Sequence, residues 1–196
     1  MYAPDLKGFG ENADMTYPYS LDDYVLDVKN YIKEKGLKNP HVIAHSFGGR
    51  IAIKMASENP DVFNKIVLVG SAGLKPRRKL KYYVKRFTYK LIKPFLRGRK
   101  PKLFFSKDYM ALSSVMKESF CKIVGEHLDC ALPQIKNQTL IVFGKKDKET
   151  PIYLANRLYK GIKNSRLYLI DGAGHFCFID KAEKFNWEVR EFLLSK

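Results

Sequence analysis

Three short segments hold the residue types that nucleophilic catalysis uses: a hydroxyl, a carboxylate and an imidazole, each at a turn marked by small residues. The first is Ala44-His45-Ser46-Phe47-Gly48-Gly49. The second is Gly144-Lys145-Lys146-Asp147, with Pro151 shortly after it. The third is Gly172-Ala173-Gly174-His175. Ser46 lies directly between an apolar stretch and a helix start. That is the setting of a nucleophile elbow, a tight strand-to-helix turn that projects a serine above a sheet. Small neighbours suit such a turn because the backbone passes close to itself there. The amino end of the following helix favours developing negative charge at the serine. Each residue also has a plainer role open to it. Ser46 could cap a helix, Asp147 could close an Asx-turn, and His175 could be a loop histidine packed near Phe176 and Phe178.

The elements that must position these residues are readable from periodicity. His41 to His45 (HVIAH), Ile66 to Val69 (IVLV), Leu140 to Phe143 (LIVF) and Leu167 to Ile170 (LYLI) are short apolar runs with strand character. Leu21 to Lys35 reads as a helix, with Leu21, Tyr24, Val25, Val28 and Ile32 on one face. Ser20 and Asp23 form a capping-box start for it, and Gly36 a stop. Further helices are expected over Ile51 to Ser57, ended by Pro60, and around Ile152–Lys160 and Ala182–Leu194. Fully apolar strands alternating with helices indicate a parallel sheet covered on both faces.

Taken together, and in the order Ser, Asp, His, these motifs resemble the α/β-hydrolase family. The family's G-x-S-x-G pattern is met with Ala44 in place of the first glycine, and Gly48 as the second. The Asp5-Leu6-Lys7-Gly8-Phe9-Gly10 segment is similar to the family's D-x-x-G-x-G loop after its fourth strand. The resemblance implies an α/β fold: a partial hydrolase sheet, mostly parallel and flanked by helices, with a helical cap insertion. It implies that Ser46 is the nucleophile, that His175 takes its proton and returns it to the leaving group, and that Asp147 fixes the imidazole tautomer. The backbone N–H of Phe47 is the implied oxyanion donor. The implied activity is hydrolysis of an ester or similar bond in a small, partly apolar substrate, with no metal and no organic cofactor. A serine at this place disfavours the branches that use aspartate there. The fold alone does not choose among the many reactions it hosts.

The expected division of the chain is 1–73 for the first part of the hydrolase core, 74–132 for a basic helical cap, and 133–196 for the second part. Of the 36 Lys and Arg residues, fourteen fall between Lys75 and Lys107, where there is no Asp or Glu. This stretch of the expected cap therefore carries +14 of the net charge of +16. Leu80, Tyr83, Val84, Phe87, Leu91 and Phe95 recur there at helical spacing, Pro94 should end that helix, and a second helix is expected over Met110 to Ile123. Three readings of the charge stay open: a solvated helix face, a site for an acidic substrate or carrier group, and adsorption to an anionic membrane surface. Nucleic acid ranks last, since no binding module accompanies the charge.

In the family, three strands, a helix and a His-Gly loop precede the Asp5–Gly10 segment, and that loop normally supplies a second oxyanion donor. Losing one such donor costs roughly 100- to 1,000-fold in rate. The expectation is therefore an impaired hydrolase whose His41–His45 strand is an exposed edge. A fragment or misplaced start at Met1, a partner chain or second copy covering that edge, and a degenerate remnant are the three explanations. The other class of function is a non-catalytic hydrolase-like fragment whose basic cap binds anionic surfaces. Cys121, Cys130 and Cys177 lack ligand or disulfide spacing and read as free thiols of a cytoplasmic protein. His41, His45 and His127 are assigned to packing or surface roles, and Glu126, His127 and Asp129 are too weak a set for a metal.

Overall fold

The computed structural model describes residues 1–77 and 112–195. The amphipathic stretch expected from Leu80 to Phe95 lies outside the described residues. The chain divides into two compact units, Met1–Tyr19 with Pro76–Ile123, and Ser20–Lys75 with Val124–Lys196.

In the first unit, the Asp5–Gly10 loop is turned by two glycines in the left-handed region, Gly8 at φ +89° and Gly10 at φ +53°. Asp5 Oδ2 accepts the Glu11 amide at 3.0 Å. A side chain at Gly10 would collide with that carboxylate, so Asp5 and the glycine specify one another. The helix Ser114–Gly125 begins four residues later than the sequence pattern indicates. Its Ser119 hydroxyl accepts the Tyr19 amide at 2.9 Å.

The second unit holds a four-stranded parallel sheet in the order β1-β2-β3-β4, formed by Val42–His45, Lys65–Val69, Gln138–Gly144 and Ser165–Ile170. The central strands β2 and β3 are buried almost throughout, as their apolar runs from Ile66 to Val69 and from Leu140 to Phe143 require. On one face, Val67, Val69, Leu140 and Val142 meet Phe185, Val189 and Phe192 of the helix Ala182–Leu194. The alternate residues Ile66, Leu68, Ile141 and Phe143 face the opposite way and are equally buried. Each such side chain stabilises the fold by about 1.5–3 kcal/mol when withdrawn from water. The helix α1, Leu21–Glu34, starts at the expected capping box, with Ser20 and Asp23 each accepting the other's amide. The helix α2 runs Phe47–Glu58, four residues longer at its start than the apolar pattern indicates, because it begins at the residue after Ser46. A short helix, Cys177–Asp180, was not expected from periodicity.

What matters for function is how the strand ends are held. Past the end of β1, the Ser46 amide donates to Val69 O at 2.9 Å. The residue after β2, Gly70, donates to Val142 O at 2.9 Å, and the residue after β3, Lys145, donates to Ile170 O at 3.0 Å. The parallel ladder thus continues one step beyond each strand, so the following loops all leave the same edge from fixed origins. The β1 strand pairs with β2 alone among the described residues, and Ile43 is half exposed on it.

At Gly144 a side chain would fall on the carbonyl oxygens of Ala173 and Gly174. Those oxygens belong to backbone that cannot step aside cheaply. Gly144→Ala is expected to lower stability by about 1–3 kcal/mol, read as a reduced urea midpoint with an unchanged slope. A midpoint equal to the unsubstituted chain would show that the two loops are not seated as described.

Candidate active site

Ser46 is the residue between β1 and α2, at φ 49° and ψ −108°. This is a sparsely populated conformation for a residue with a side chain, and its cost is about 1–3 kcal/mol unless neighbours enforce it. They do. The Ser46 carbonyl accepts from Gly49 N at 3.1 Å and from Ala72 N at 3.1 Å. Gly49 has no room for a Cβ against Ser71, so α2 is pressed onto the loop that follows β2. The Ser46 side chain makes no capping bond to its helix. The plain role of a helix-capping serine is therefore not the one adopted.

Instead, Ser46 Oγ lies 3.0 Å from His175 Nε2. The opposite ring nitrogen, Nδ1, lies 2.9 Å from Asp147 Oδ2. Three side chains far apart in the sequence form one line of hydrogen bonds, hydroxyl to imidazole to carboxylate. The carboxylate has no exposed side-chain surface and the imidazole side chain is only 6% exposed. The carboxylate cannot donate, so Nδ1 carries the proton toward it, and Nε2 is left to accept from the serine.

Asp147 follows β3, closes a turn and contacts the imidazole of His175. Its Oδ1 accepts from Glu149 N at 2.9 Å and Thr150 N at 2.8 Å, closing a turn. Its Oδ2 is thereby aimed at the imidazole. The histidine loop is tied to the acid loop through Lys146 N to Ala173 O at 2.8 Å. A Lys145–Asp171 ion pair at 2.7 Å adds to this, as does a Gly174 amide bond to Asp180 at 2.7 Å that steadies the turn itself. Phe47 is the first residue of α2, half-buried, with its ring edge-on to Tyr24 at 5.0 Å.

Three neighbours of the site, His45, Thr150 and Glu149, are not assigned to it by the sequence. His45 Nε2–H donates to the His175 carbonyl at 3.1 Å, and the two rings lie 4.7 Å apart. Its place directly before Ser46, at a strand end, is the signal that could have marked it. Burial pushes the His45 imidazole below its ordinary value; the bond to the His175 carbonyl opposes this, and the adjoining His175 ring adds to it. The Asp147 and Glu149 carboxylates act in the raising direction. Thr150, three residues after Asp147, is buried with its hydroxyl among site atoms. Glu149 reaches within 3.5 Å of His175 Nε2 from an exposed position, on an open depression that Lys146, Lys148, Lys181 and Phe176 also line. Elsewhere in this unit, Glu126 pairs with Lys54 at 2.7 Å and Asp129 with Arg157. No group of His, Cys, Asp and Glu among the described residues could hold a metal ion. No helix among them is long and apolar enough to cross a membrane.

Comparison with known proteins gives a match to the model of the alpha/beta hydrolase family over residues 1–188. The chain is 24% identical to a 2-hydroxy-6-oxononadienedioate/2-hydroxy-6-oxononatrienedioate hydrolase of a Pseudomonas species, over 96% of this chain and 75% of that one. It is 26% identical to the serine hydrolase BPHL of Mus musculus, over 98% and 69%. Among solved structures it is similar in fold to a meta-cleavage product hydrolase from Pseudomonas fluorescens IP01, with TM-score 0.72 and 24% identity over 97% of this chain and 78% of that one.

Two outcomes follow from this geometry. Ser46→Gly should be more stable than Ser46→Ala by about 1–3 kcal/mol, because both lose the hydroxyl and only glycine relieves the backbone. Equal unfolding free energies would mean that the turn is unstrained. The second concerns His45. With its folded value depressed, the unfolded chain binds this proton first as pH falls. Its stabilising contribution is present above the ordinary value near 6.5 and is lost as pH falls below it. His45→Gln should therefore lose less unfolding free energy between pH 7 and pH 5 than the unsubstituted chain. A loss of the same size in both would remove His45 as a contributor.

Proposed function

The chain belongs to the alpha/beta hydrolase family, and on that premise we propose that it is a serine hydrolase. It cleaves an ester or similar bond of a small, partly apolar substrate through Ser46, His175 and Asp147. The observation that carries the reading is the unbroken line of contacts, 3.0 Å from hydroxyl to imidazole and 2.9 Å from imidazole to carboxylate.

The chemistry follows from the donors and acceptors. Ser46 Oγ forms a bond to the acyl carbon while its proton passes to His175 Nε2. Asp147 Oδ2, already accepting from Nδ1, stabilises the imidazolium and holds the ring in place. Charge that collects on the carbonyl oxygen is met by the Phe47 backbone amide at the amino end of α2. His175 then gives its proton to the leaving alkoxide as the carbon–oxygen bond breaks. Water, deprotonated by the same nitrogen, releases the acid and restores the serine. The relatives' names include a 2-hydroxy-6-oxononadienedioate/2-hydroxy-6-oxononatrienedioate hydrolase, which supports hydrolysis without choosing the substrate of this chain.

Incubation with a p-nitrophenyl ester and a serine-directed fluorophosphonate tests the assignment. The expected result is a single phosphonate adduct on Ser46, no adduct on Ser46→Ala, and ester turnover lowered by about 10³-fold or more in Ser46→Ala and His175→Ala. Absence of any Ser46-dependent adduct or turnover would sink it.

A further inference from the structure

The Thr150 hydroxyl stands at the junction of the two groups that orient the nucleophile. Its Oγ1 is 2.6 Å from Asp147 Oδ2, 3.2 Å from His175 Nδ1 and 3.0 Å from the Gly70 carbonyl oxygen. A hydroxyl has one proton and two lone pairs to distribute. If the proton went to Gly70, Oγ1 would confront a carboxylate oxygen at 2.6 Å with no hydrogen between them. The proton therefore lies toward Asp147 Oδ2, and the short distance is that of a charge-assisted O–H···O bond. A lone pair then remains for the Nδ1–H of His175. That N–H faces a fork of two oxygens, the carboxylate at 2.9 Å and the hydroxyl at 3.2 Å.

We propose that Thr150 is a positioning residue of this site. Its hydroxyl locks the Asp147 carboxylate and offers His175 Nδ1–H a second acceptor, which holds the ring with Nε2 toward Ser46. The inference rests on the triad reading given above. Three features support it besides the distances. Thr150 is only 6% exposed, so no water can take the place of its hydroxyl without rearrangement. Its own amide donates to Asp147 Oδ1 at 2.8 Å, so one residue grips both carboxylate oxygens, one from backbone and one from side chain. Pro151 follows at φ −62°, where the ring holds the backbone, so the hydroxyl sits on a chain segment with little freedom to drift.

The test compares Thr150→Ser, Thr150→Ala and Thr150→Val with the unsubstituted chain, beside Ser46→Ala. The readouts are fluorophosphonate labelling rate at Ser46, kcat and KM for a p-nitrophenyl ester, and the melting temperature. Valine keeps the shape and removes the hydroxyl, while serine keeps the hydroxyl and removes the methyl. Thr150→Val and Thr150→Ala should lose roughly tenfold in labelling rate and kcat, with KM unchanged, as the loss of one hydrogen bond to a charged group predicts. Thr150→Ser should stay within about twofold of the unsubstituted chain by the same measure. A packing role would give the reverse order, with valine active and serine impaired, and would overturn the inference. So would labelling and kcat unchanged in both Thr150→Val and Thr150→Ala while Ser46→Ala is silent; the triad reading would then stand without Thr150. If Ser46→Ala labels and turns over like the unsubstituted chain, the triad reading itself fails. Should valine prevent folding, the alanine and serine pair still separates the hydroxyl from the methyl.

Discussion

A carboxylate with no exposed surface must find its donors inside the protein, because leaving a charge unmatched away from water costs several kcal/mol. Asp147 is such a group, and much of the surrounding chain is arranged to satisfy it. One oxygen is taken by the amides of Glu149 and Thr150, which requires the chain to turn sharply just after β3. The other takes the Thr150 hydroxyl and the imidazole N–H of His175. The acid loop and the histidine loop are therefore not independent decorations of the sheet. Each supplies what the other lacks, and the backbone bond from Lys146 to Ala173 and the Lys145–Asp171 pair join them further. Gly70 enters at the same point. Its left-handed φ of +47° lets the chain after β2 pass beside His175 and Asp147, where a Cβ would crowd the ring at 3.2 Å.

The sheet supplies the alignment that local turns could not. Ser46, Gly70 and Lys145 each extend the parallel ladder by one amide beyond their strands. Parallel neighbours present the same end at the same edge, so a serine after β1, a turn after β2, an acid after β3 and a histidine after β4 arrive together. An antiparallel pair would send alternate loops to opposite edges. This is why side chains separated by 129 and 28 positions can meet within hydrogen-bond distance.

Much of this was legible in the residues. The four strands were visible as short apolar runs, most clearly Ile66 to Val69 of β2 and Leu140 to Phe143 of β3, which are buried throughout. The start of α1 was visible because Ser20 and Asp23 carry a specific reciprocal bond pattern. Ser46, Asp147 and His175, which meet in the structure, were marked in the sequence by glycine-bearing turns and by their order. Other features left no periodic trace. The first turn of α2 contains Phe47, Gly48 and Gly49, residues chosen by the tight approach to Ser71 and not by a hydrophobic face. The helix Cys177–Asp180 is too short for a period to show. Asp147 offered two exclusive-looking roles in the sequence, turn former or partner of the histidine. The structure uses one oxygen for each, which a residue-level reading does not separate. Thr150 is not marked by the sequence, and His45 reads there only as a packing or surface residue, for the same reason: their hydroxyl and ring positions depend on long-range contacts to Gly70 and His175.

The serine shows most clearly how local strain and distant packing are balanced in this fold. Its backbone is held at a φ of 49° by bonds on every side: its amide to Val69, its carbonyl from both Gly49 and Ala72, and its hydroxyl at the imidazole. A strained residue persists only where its surroundings over-determine it. The over-determination here comes from elements that are themselves well buried, β2 among them. The core around Val67, Val69, Leu140 and Val142 thus does more than hold the unit together. It supplies the stability against which Ser46 is kept in a conformation that no isolated turn would adopt. The cost of that conformation is met by apolar burial some residues away, and the hydroxyl is left 3.0 Å from His175 Nε2.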